Sequence, residues 1–155
     1  MGTDANIYSY SRVAAAERFS FVLDGDLDAF FLVTADSSLG DAGRKALSAS
    51  AAALGWPEPT FLFVDGPSSL SKAEYYEAVE ALDPLVVAIV GASARKLAFE
   101  AYACEIPDQK RFRLFGRDAC CFADLDGLVL SEAGKRNVWA LLKTLPHGPL
   151  AAQSR

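Results

Sequence analysis

The chain has 155 residues, of which 52% are hydrophobic and 23% charged, and this is the composition of an ordered globular protein rather than a disordered one. Its formal charge of −5 gives no overall attraction to phosphate backbones, so nucleic-acid binding is not favoured and would need a local basic patch. No apolar run reaches the roughly 20 residues that span a bilayer, and the start of the chain lacks the pattern of a signal peptide. We therefore expect a cytoplasmic protein with no membrane segment, built as one domain over residues 1–155, in which 1–18 are an N-terminal extension and 146–155 a loose tail.

The first half of the chain alternates apolar runs with helical patterns. Residues 29–33 and 60–64 are apolar throughout and end in turn-forming residues, which predicts two buried strands. Between them, Asp41 is expected to cap a helix whose inward positions are Leu47, Ala51 and Leu54. A short entry helix over 11–19 is also predicted.

A further helix is predicted after Ser71. Ser71 and Glu74 fit a capping box, and the helix that follows would turn Tyr75, Val79 and Leu82 inward.

The strongest strand signal lies in residues 85–90, which are all apolar and rich in β-branched side chains. The absence of polar alternation is typical of a central parallel strand that is covered on both faces. Gly91 allows the backbone to turn directly into a helix over 93–102, which Ser93 is expected to cap.

The last third predicts a hairpin and a closing helix. Residues 111–115 and 119–122 read as two short strands around a turn at 116–118, and the second strand can join the main sheet. The final helix, 131–145, places its apolar residues on one face, and Trp139 is expected to anchor it in the core. The order of elements predicts an α/β fold: a three-layer αβα sandwich with a four-stranded parallel sheet.

Cysteine usage and acidic motifs point away from metal and phosphoryl chemistry. Cys104, Cys120 and Cys121 cannot all pair, so reduced thiols are expected, and the single histidine, His147, is too isolated to complete a zinc site. We predict no metal and no cofactor. Asp124 and Asp126 imitate a phosphatase motif, but too little chain follows them, so a turn and a helix cap are the simpler interpretation. Nucleotide-binding glycine motifs and a serine hydrolase motif are absent from the sequence.

Three segments together resemble the uracil-DNA glycosylase superfamily. Residues 82–94 resemble that family's third strand, L-x-P-x-V-V-V-A-L-G-x-x-A, and residues 135–143 resemble its closing helix, where a basic residue precedes a tryptophan. Residues 32–38 stand in the place of the first-strand motif, which in one branch reads G-Q-D-P-Y-H. The resemblance implies a uracil-DNA glycosylase-like fold with a cleft beyond the carboxyl ends of the parallel strands, where open α/β sheets bind their ligands.

The same resemblance implies which residues would form the site. In the family an aspartate positions a water, an asparagine reads the extruded base and a histidine supports the leaving oxygen. By place, Asp36 matches the aspartate, whereas Asp65 stands where the asparagine should be, and the histidine motif is absent. The candidate cleft residues are Thr34, Asp36, Ser37, Ser38, Asp65, Gly91, Ser93, Cys120, Cys121 and Phe122.

This chain has the family-like segments but lacks the family's asparagine and histidine. In this respect it resembles the psi subunits of the bacterial polymerase III clamp loader, which are assembly factors. This resemblance implies a non-catalytic binding or assembly module with a protein partner, acting in DNA replication or repair. The alternative is a DNA glycosylase with an atypical site, in which Asp36 would be catalytic. A basic rim that could meet nucleic acid comprises Arg95, Lys96, Lys110, Arg111, Arg113 and Arg117, although dispersed cations are more often a solvated surface.

Overall fold

The computed structural model describes residues 13–14, 17–26, 28–65 and 69–145, and this part of the chain forms a mixed α/β structure. It contains six strands and five helices. The strands are β1 (Leu23–Asp24), β2 (Phe31–Ala35), β3 (Thr60–Phe63), β4 (Val86–Val90), β5 (Arg111–Leu114) and β6 (Arg117–Phe122). The helices are α1 (Asp41–Ala53), α2 (Lys72–Leu82), α3 (Ala92–Tyr102), α4 (Leu125–Leu128) and α5 (Glu132–Leu142).

All six strands belong to one sheet, in the order β1-β3-β2-β4-β6-β5. The inner neighbours β3, β2, β4 and β6 pair in parallel, whereas β1 and β5 pair antiparallel at the two edges. The prediction of a four-stranded parallel sheet is therefore met only in part, because the four parallel strands are the inner strands of a six-stranded mixed sheet. β5 returns to β6 through a two-residue loop, which only antiparallel strands can use, and β1 is too short to show in an apolar pattern.

β4 is the central strand that its sequence predicts. It pairs with β2 on one side and with β6 on the other, and all five of its residues are fully buried. Val87 and Ile89 belong to the apolar cluster on one face of the sheet, and Val86, Ala88 and Val90 belong to the cluster on the other face. Burial on both faces is the reason that the run carries no polar alternation.

Helices cover both faces of the sheet. The first cluster includes Tyr75, Ala78, Val79 and Leu82 of α2 and Ala94, Ala98 and Tyr102 of α3. The second includes Leu47 and Ala51 of α1, Leu125 of α4, and Val138 and Leu142 of α5, with Trp139 packed against it. No helix within the described ranges combines the length and apolar character needed to cross a membrane.

Several local predictions can be compared with the structure. The capping box of α2 is confirmed, since Ser71 Oγ accepts from the Glu74 amide and Glu74 accepts from the Ser71 amide. β2 begins two residues later than expected and includes Thr34, because the parallel ladder with β4 runs through to Ala35. The hairpin turn is Phe115–Gly116 rather than 116–118. In the predicted helix over 11–19, residues 13–14 and 17–18 are helical, whereas 11–12 and 15–16 lie outside the described residues. The tail 146–155 with His147 also lies outside them.

Candidate functional site

The carboxyl ends of β2 and β4 meet where the strand connections diverge. From β2 the chain passes through α1 to β3, and from β4 it passes through α3 to β6, on the opposite side of the sheet. α1 and α3 also cover opposite faces. In open α/β sheets the crevice at such a switch point is the usual ligand site. The cleft predicted from the sequence would lie here.

Asp36 follows β2 directly, and its side chain fills this crevice. The residue is only 4% exposed. Its Oδ2 accepts hydrogen bonds from the backbone amides of Ser93 at 2.8 Å and Ala94 at 3.3 Å, in the first turn of α3. Its Oδ1 accepts from the amide of Ser38 at 2.9 Å and from the Ser38 hydroxyl. Asp36 therefore ties the loop after β2 to the amino end of α3.

The carboxylate of Asp36 has no spare acceptor. An ionised carboxylate offers about four lone-pair sites, and the four donors from Ser38, Ser93 and Ala94 fill them. Negative charge is also favoured at a helix amino end, where unpaired amides and the helix dipole meet it. The side chain thus acts as a cap for α3 that is supplied from another strand. A water molecule could be held for attack on a base only by displacing one of these donors.

Gly91 is the residue that makes this arrangement possible. It precedes α3 with φ of 103°, a backbone conformation that residues with a side chain rarely adopt, and it supplies no side-chain cap to the helix. A Cβ atom at this position would overlap the carboxylate of Asp36. The predicted cap by the Ser93 side chain is wrong, because Ser93 instead donates its backbone amide to Asp36.

The remaining polar candidates form a rim beside Asp36, in which Ser37 is exposed and Asp65 is half-buried. Ser37 Oγ donates to Asp65 Oδ2 at 3.2 Å, linking the loops after β2 and β3. Next to Asp65, an open groove of about 280 Å³ is lined in part by Ser93, Lys96 and Glu100. Asp36 does not line this groove. Asp36 and the accessible space at this edge therefore do not coincide.

Four candidates from the sequence lie inside strands rather than on the rim. Thr34 is fully buried in β2, and its hydroxyl is 3.0 Å from the hydroxyl of Tyr75. Burial raises the pKa of the Tyr75 phenol, so it stays protonated at neutral pH. Cys120, Cys121 and Phe122 are buried in β6. The structure therefore does not place Thr34 or these three residues in an accessible cleft.

The two buried thiols are inert rather than nucleophilic. Burial is the main cause that raises the pKa of the Cys121 thiol to about 12, with Asp108 and Asp36 adding to the effect and Arg95 opposing it. Burial also raises the pKa of Cys120. Since the thiolate is the reactive form of cysteine, neither side chain is available for chemistry at neutral pH.

Asp126 has a role that sequence reasoning missed. It accepts from the amide of Gly40 at 2.8 Å and from the amide of Gly43 at 3.4 Å, at the start of α1. α1 has no side-chain cap of its own, so the expected cap by Asp41 is wrong. Asp124 caps α4 by accepting from Gly127 at 3.1 Å, as a turn-and-cap interpretation predicts. These contacts account for the acidic pair that imitates a phosphatase motif.

The predicted basic rim is divided among internal contacts. Arg95 donates to the carbonyl of Ile106 at 2.6 Å, beside α3. Arg117 is 10% exposed and binds Glu80 and Asp83. Arg111 and Arg113 lie apart from Arg95, on edge strand β5. The cations consequently do not form one continuous surface around the switch point.

Within the described residues, no three histidine, cysteine or acidic side chains come together in a group that could hold a metal ion. Neither protein-family models nor curated proteins give a match to this chain.

Proposed function

We propose that this protein is a non-catalytic binding or assembly module built on a uracil-DNA glycosylase-like frame. The frame is supported by the three family-like segments and by four inner parallel strands with helices on both faces. The resemblance to clamp-loader psi subunits favours an assembly role with a protein partner in DNA replication or repair. The chain's net charge of −5 is consistent with a protein partner rather than with a phosphate backbone.

The observation that carries the proposal is the saturation of Asp36. A general base or water-positioning group must offer an acceptor to the reacting water. All four acceptor sites of Asp36 instead hold the Ser38 loop and the amino end of α3. The carboxylate that the family would use for catalysis therefore serves the architecture of this chain.

The chain also lacks the family's hydrogen-bond donors for reading the base and for supporting the departing base. Asp65 occupies the place of the base-reading asparagine, and an ionised carboxylate cannot donate a hydrogen bond to a base. On the last parallel strand, β6, the side chains of Cys120, Cys121 and Phe122 are buried in the core. A departing base would lack the electrostatic partner that usually supplies a large part of catalysis.

The proposal is tested by assaying the purified chain for base release. Duplex and single-stranded oligonucleotides that contain uracil, hypoxanthine or a mismatch are incubated with the protein and then treated with alkali to cleave abasic sites. We expect no cleavage above the level of an Asp36→Ala variant. Cleavage that depends on Asp36 would contradict the proposal and support the atypical glycosylase.

A second measurement addresses the assembly role. The native size of the protein in a host extract is followed by size-exclusion chromatography with antibody detection. We expect elution with a larger complex that survives nuclease treatment. Elution at the size of the free 16.6 kDa chain, together with base-releasing activity, would overturn the proposal.

A further inference from the structure

The outer edge of β5 is an open strand edge. β5 is the last strand in the sheet order, and no other strand of the described part of the chain lies beyond it. In β6, the Phe122 carbonyl accepts from Gly91 on the β4 side, so the alternate residues Arg117, Ala119 and Cys121 present their backbone groups to β5. Within β5, Leu114 pairs with Arg117 and Phe112 pairs with Ala119, so the backbone groups of Leu114 and Phe112 face β6. The backbone groups of Arg111 and Arg113 consequently point outward, and within the described residues they have no backbone hydrogen-bond partner on that side, so they can pair with an added strand.

This edge is positively charged in an acidic protein. Lys110, Arg111 and Arg113 stand within four successive residues, whereas the whole chain carries a charge of −5. Arg111 and Arg113 both contact Oδ1 of Asp118, at 2.6 Å and 3.1 Å. Their side chains are 46% and 62% exposed, and that of Asp118 is 13% exposed. Arg111 also donates to the carbonyl of Thr144 at 2.5 Å, and Arg113 donates to that of Gly116 at 2.6 Å. Carbonyls carry no net charge, so one carboxylate offsets two guanidinium groups and the edge keeps an exposed positive charge.

A groove of mixed polarity adjoins the hairpin end of the same strand. It has a volume of about 400 Å³, and its lining combines the apolar Leu85 and Phe115 with charged side chains, namely Asp83, Arg113, Arg117 and Asp118. Leu85 is 60% exposed and Phe115 is 59% exposed. Charged edge residues alone could serve to discourage aggregation. They would not explain two large apolar side chains left in water beside them.

Phe115 also occupies a backbone position that does not suit it. Phe115 and Gly116 have φ of 49° and 82°, the pattern of a type I′ turn, whose first position favours asparagine, aspartate or glycine. A bulky residue at positive φ is an outlier that merits a functional explanation. The ring is partly supported by Tyr102, at a centroid distance of 4.9 Å, and by Tyr76 at 5.9 Å. These contacts hold the ring in place but leave more than half of the residue exposed.

We propose that β5 is the docking edge for an extended acidic segment of a partner protein, which adds a strand beside Arg111 and Arg113. Backbone pairing would supply affinity, and alternate side chains would supply specificity. Acidic residues at alternate positions meet the two arginines, and an apolar residue beyond them enters the groove beside Phe115. This inference rests on the proposed binding function and specifies its surface and the chemistry of its partner.

Other occupants fit the edge less well. A second copy of this chain pairing through β5 would place arginines opposite arginines, which is destabilising. Residues 146–155 contain no acidic side chain and two prolines, and residues 1–12 contain one acidic side chain, Asp4. A nucleic acid would use the cations but not the outward backbone groups of β5. An acidic peptide strand uses the charge, the backbone edge and the groove together.

The test selects peptides from a phage-displayed library of random sequences against the full chain. We expect the selected peptides to alternate acidic residues and to carry an apolar residue at one end. Binding of a selected peptide is then measured by fluorescence anisotropy with two variants, Arg113→Glu and Phe115→Asn. Each should weaken binding by about tenfold or more, as expected at an interface hot spot. Because asparagine suits the turn, the Phe115→Asn variant is expected to fold.

Matched controls change the same chemistry elsewhere on the surface. Lys45→Glu reverses an exposed charge on α1, and Phe99→Asn removes an exposed phenylalanine from α3; both should leave peptide binding unchanged. Selection of peptides without acidic enrichment, or equal effects of test and control variants, would overturn the docking edge. Competition of single-stranded DNA for the same arginines with higher affinity than any selected peptide would overturn it in favour of nucleic acid. A stable protein complex in the host extract that is insensitive to Arg113→Glu would contradict the docking edge but would remain consistent with the proposed function.

Discussion

At the scale of single residues, Asp36 and Gly91 form one structural unit. The carboxylate of Asp36 lies in the space that a side chain at position 91 would need. The glycine conformation then directs the amides of α3 toward Asp36. The buried carboxylate of Asp36 accounts for the glycine at position 91, and the conformation of Gly91 accounts for the amides that bind the carboxylate. No ligand is needed to explain either residue.

We predict that Gly91→Ala destabilises the protein by about 3 kcal/mol or more, since the added methyl group must adopt a strained φ and displace a buried carboxylate. Urea unfolding followed by circular dichroism measures the change. Gly116→Ala is the control, because position 116 also has positive φ but has open space around its Cβ. Gly116→Ala should cost only the strain of its backbone, roughly 1 kcal/mol. Equal losses in the two variants would show that Asp36 does not confine position 91.

At the scale of elements, the helices begin in two different ways. α2 is capped locally, by Ser71 and Glu74 in its own first turn. α1 and α3 receive their acidic caps from Asp126 and Asp36, which lie 86 and 57 residues away from their first amide partners in the chain. Local capping stabilises a helix by itself, whereas a distant cap also joins the helix to the tertiary structure.

The local cap predicts a pH dependence of stability. Hydrogen bonds from the backbone amide and side chain of Ser71 lower the pKa of Glu74 below its ordinary value. A lowered folded-state pKa adds stability above the unfolded-state pKa, and this stability is lost as pH falls through the folded-state value. Urea midpoints of the wild type and Glu74→Gln should therefore differ at neutral pH in favour of the wild type, and converge as pH falls below about 4.3. A difference that stays constant down to acidic pH would contradict this origin of the cap.

At the scale of the whole molecule, the sheet separates two apolar clusters, and β6 contributes a cysteine to each. Cys121 belongs to one cluster and Cys120 to the other. Cys104 is only half-buried, although burial raises its pKa as well. Access to the two strand thiols therefore requires the sheet to open.

We predict that iodoacetamide at mildly alkaline pH modifies Cys104 first, and that Cys120 and Cys121 react only at the rate of unfolding. Intact-mass spectrometry should show one adduct in the native state and three in guanidinium chloride. A Cys104→Ser variant is the control and should show no adduct before unfolding. Rapid addition of two or three adducts to the native protein would contradict the burial of β6.

The sequence predicts the elements whose burial produces an apolar pattern. It does not predict contacts between residues that are far apart in the chain. The apolar run 85–90 indicates a central strand because both of its faces are covered. β1 has two residues, too few to show periodicity, and the fully buried Thr34 follows the apolar run 29–33 and so falls outside the strand that the run predicts. No local signal indicates that Asp36 would cap α3, since its partners Ser93 and Ala94 are brought to it only by the pairing of β2 with β4.

The most direct test of the account is the effect of Asp36→Ala on the free energy of unfolding, measured with urea beside Asp65→Ala. Removing Asp36 leaves four donors without their acceptor, so we expect a loss of roughly 3 kcal/mol. Removing Asp65, which is half-buried on the rim of the same edge and accepts from the exposed Ser37, should change the stability by no more than about 0.5 kcal/mol. An Asp36→Ala variant that is as stable as the wild type, or more stable, would show that the carboxylate is not a structural cap.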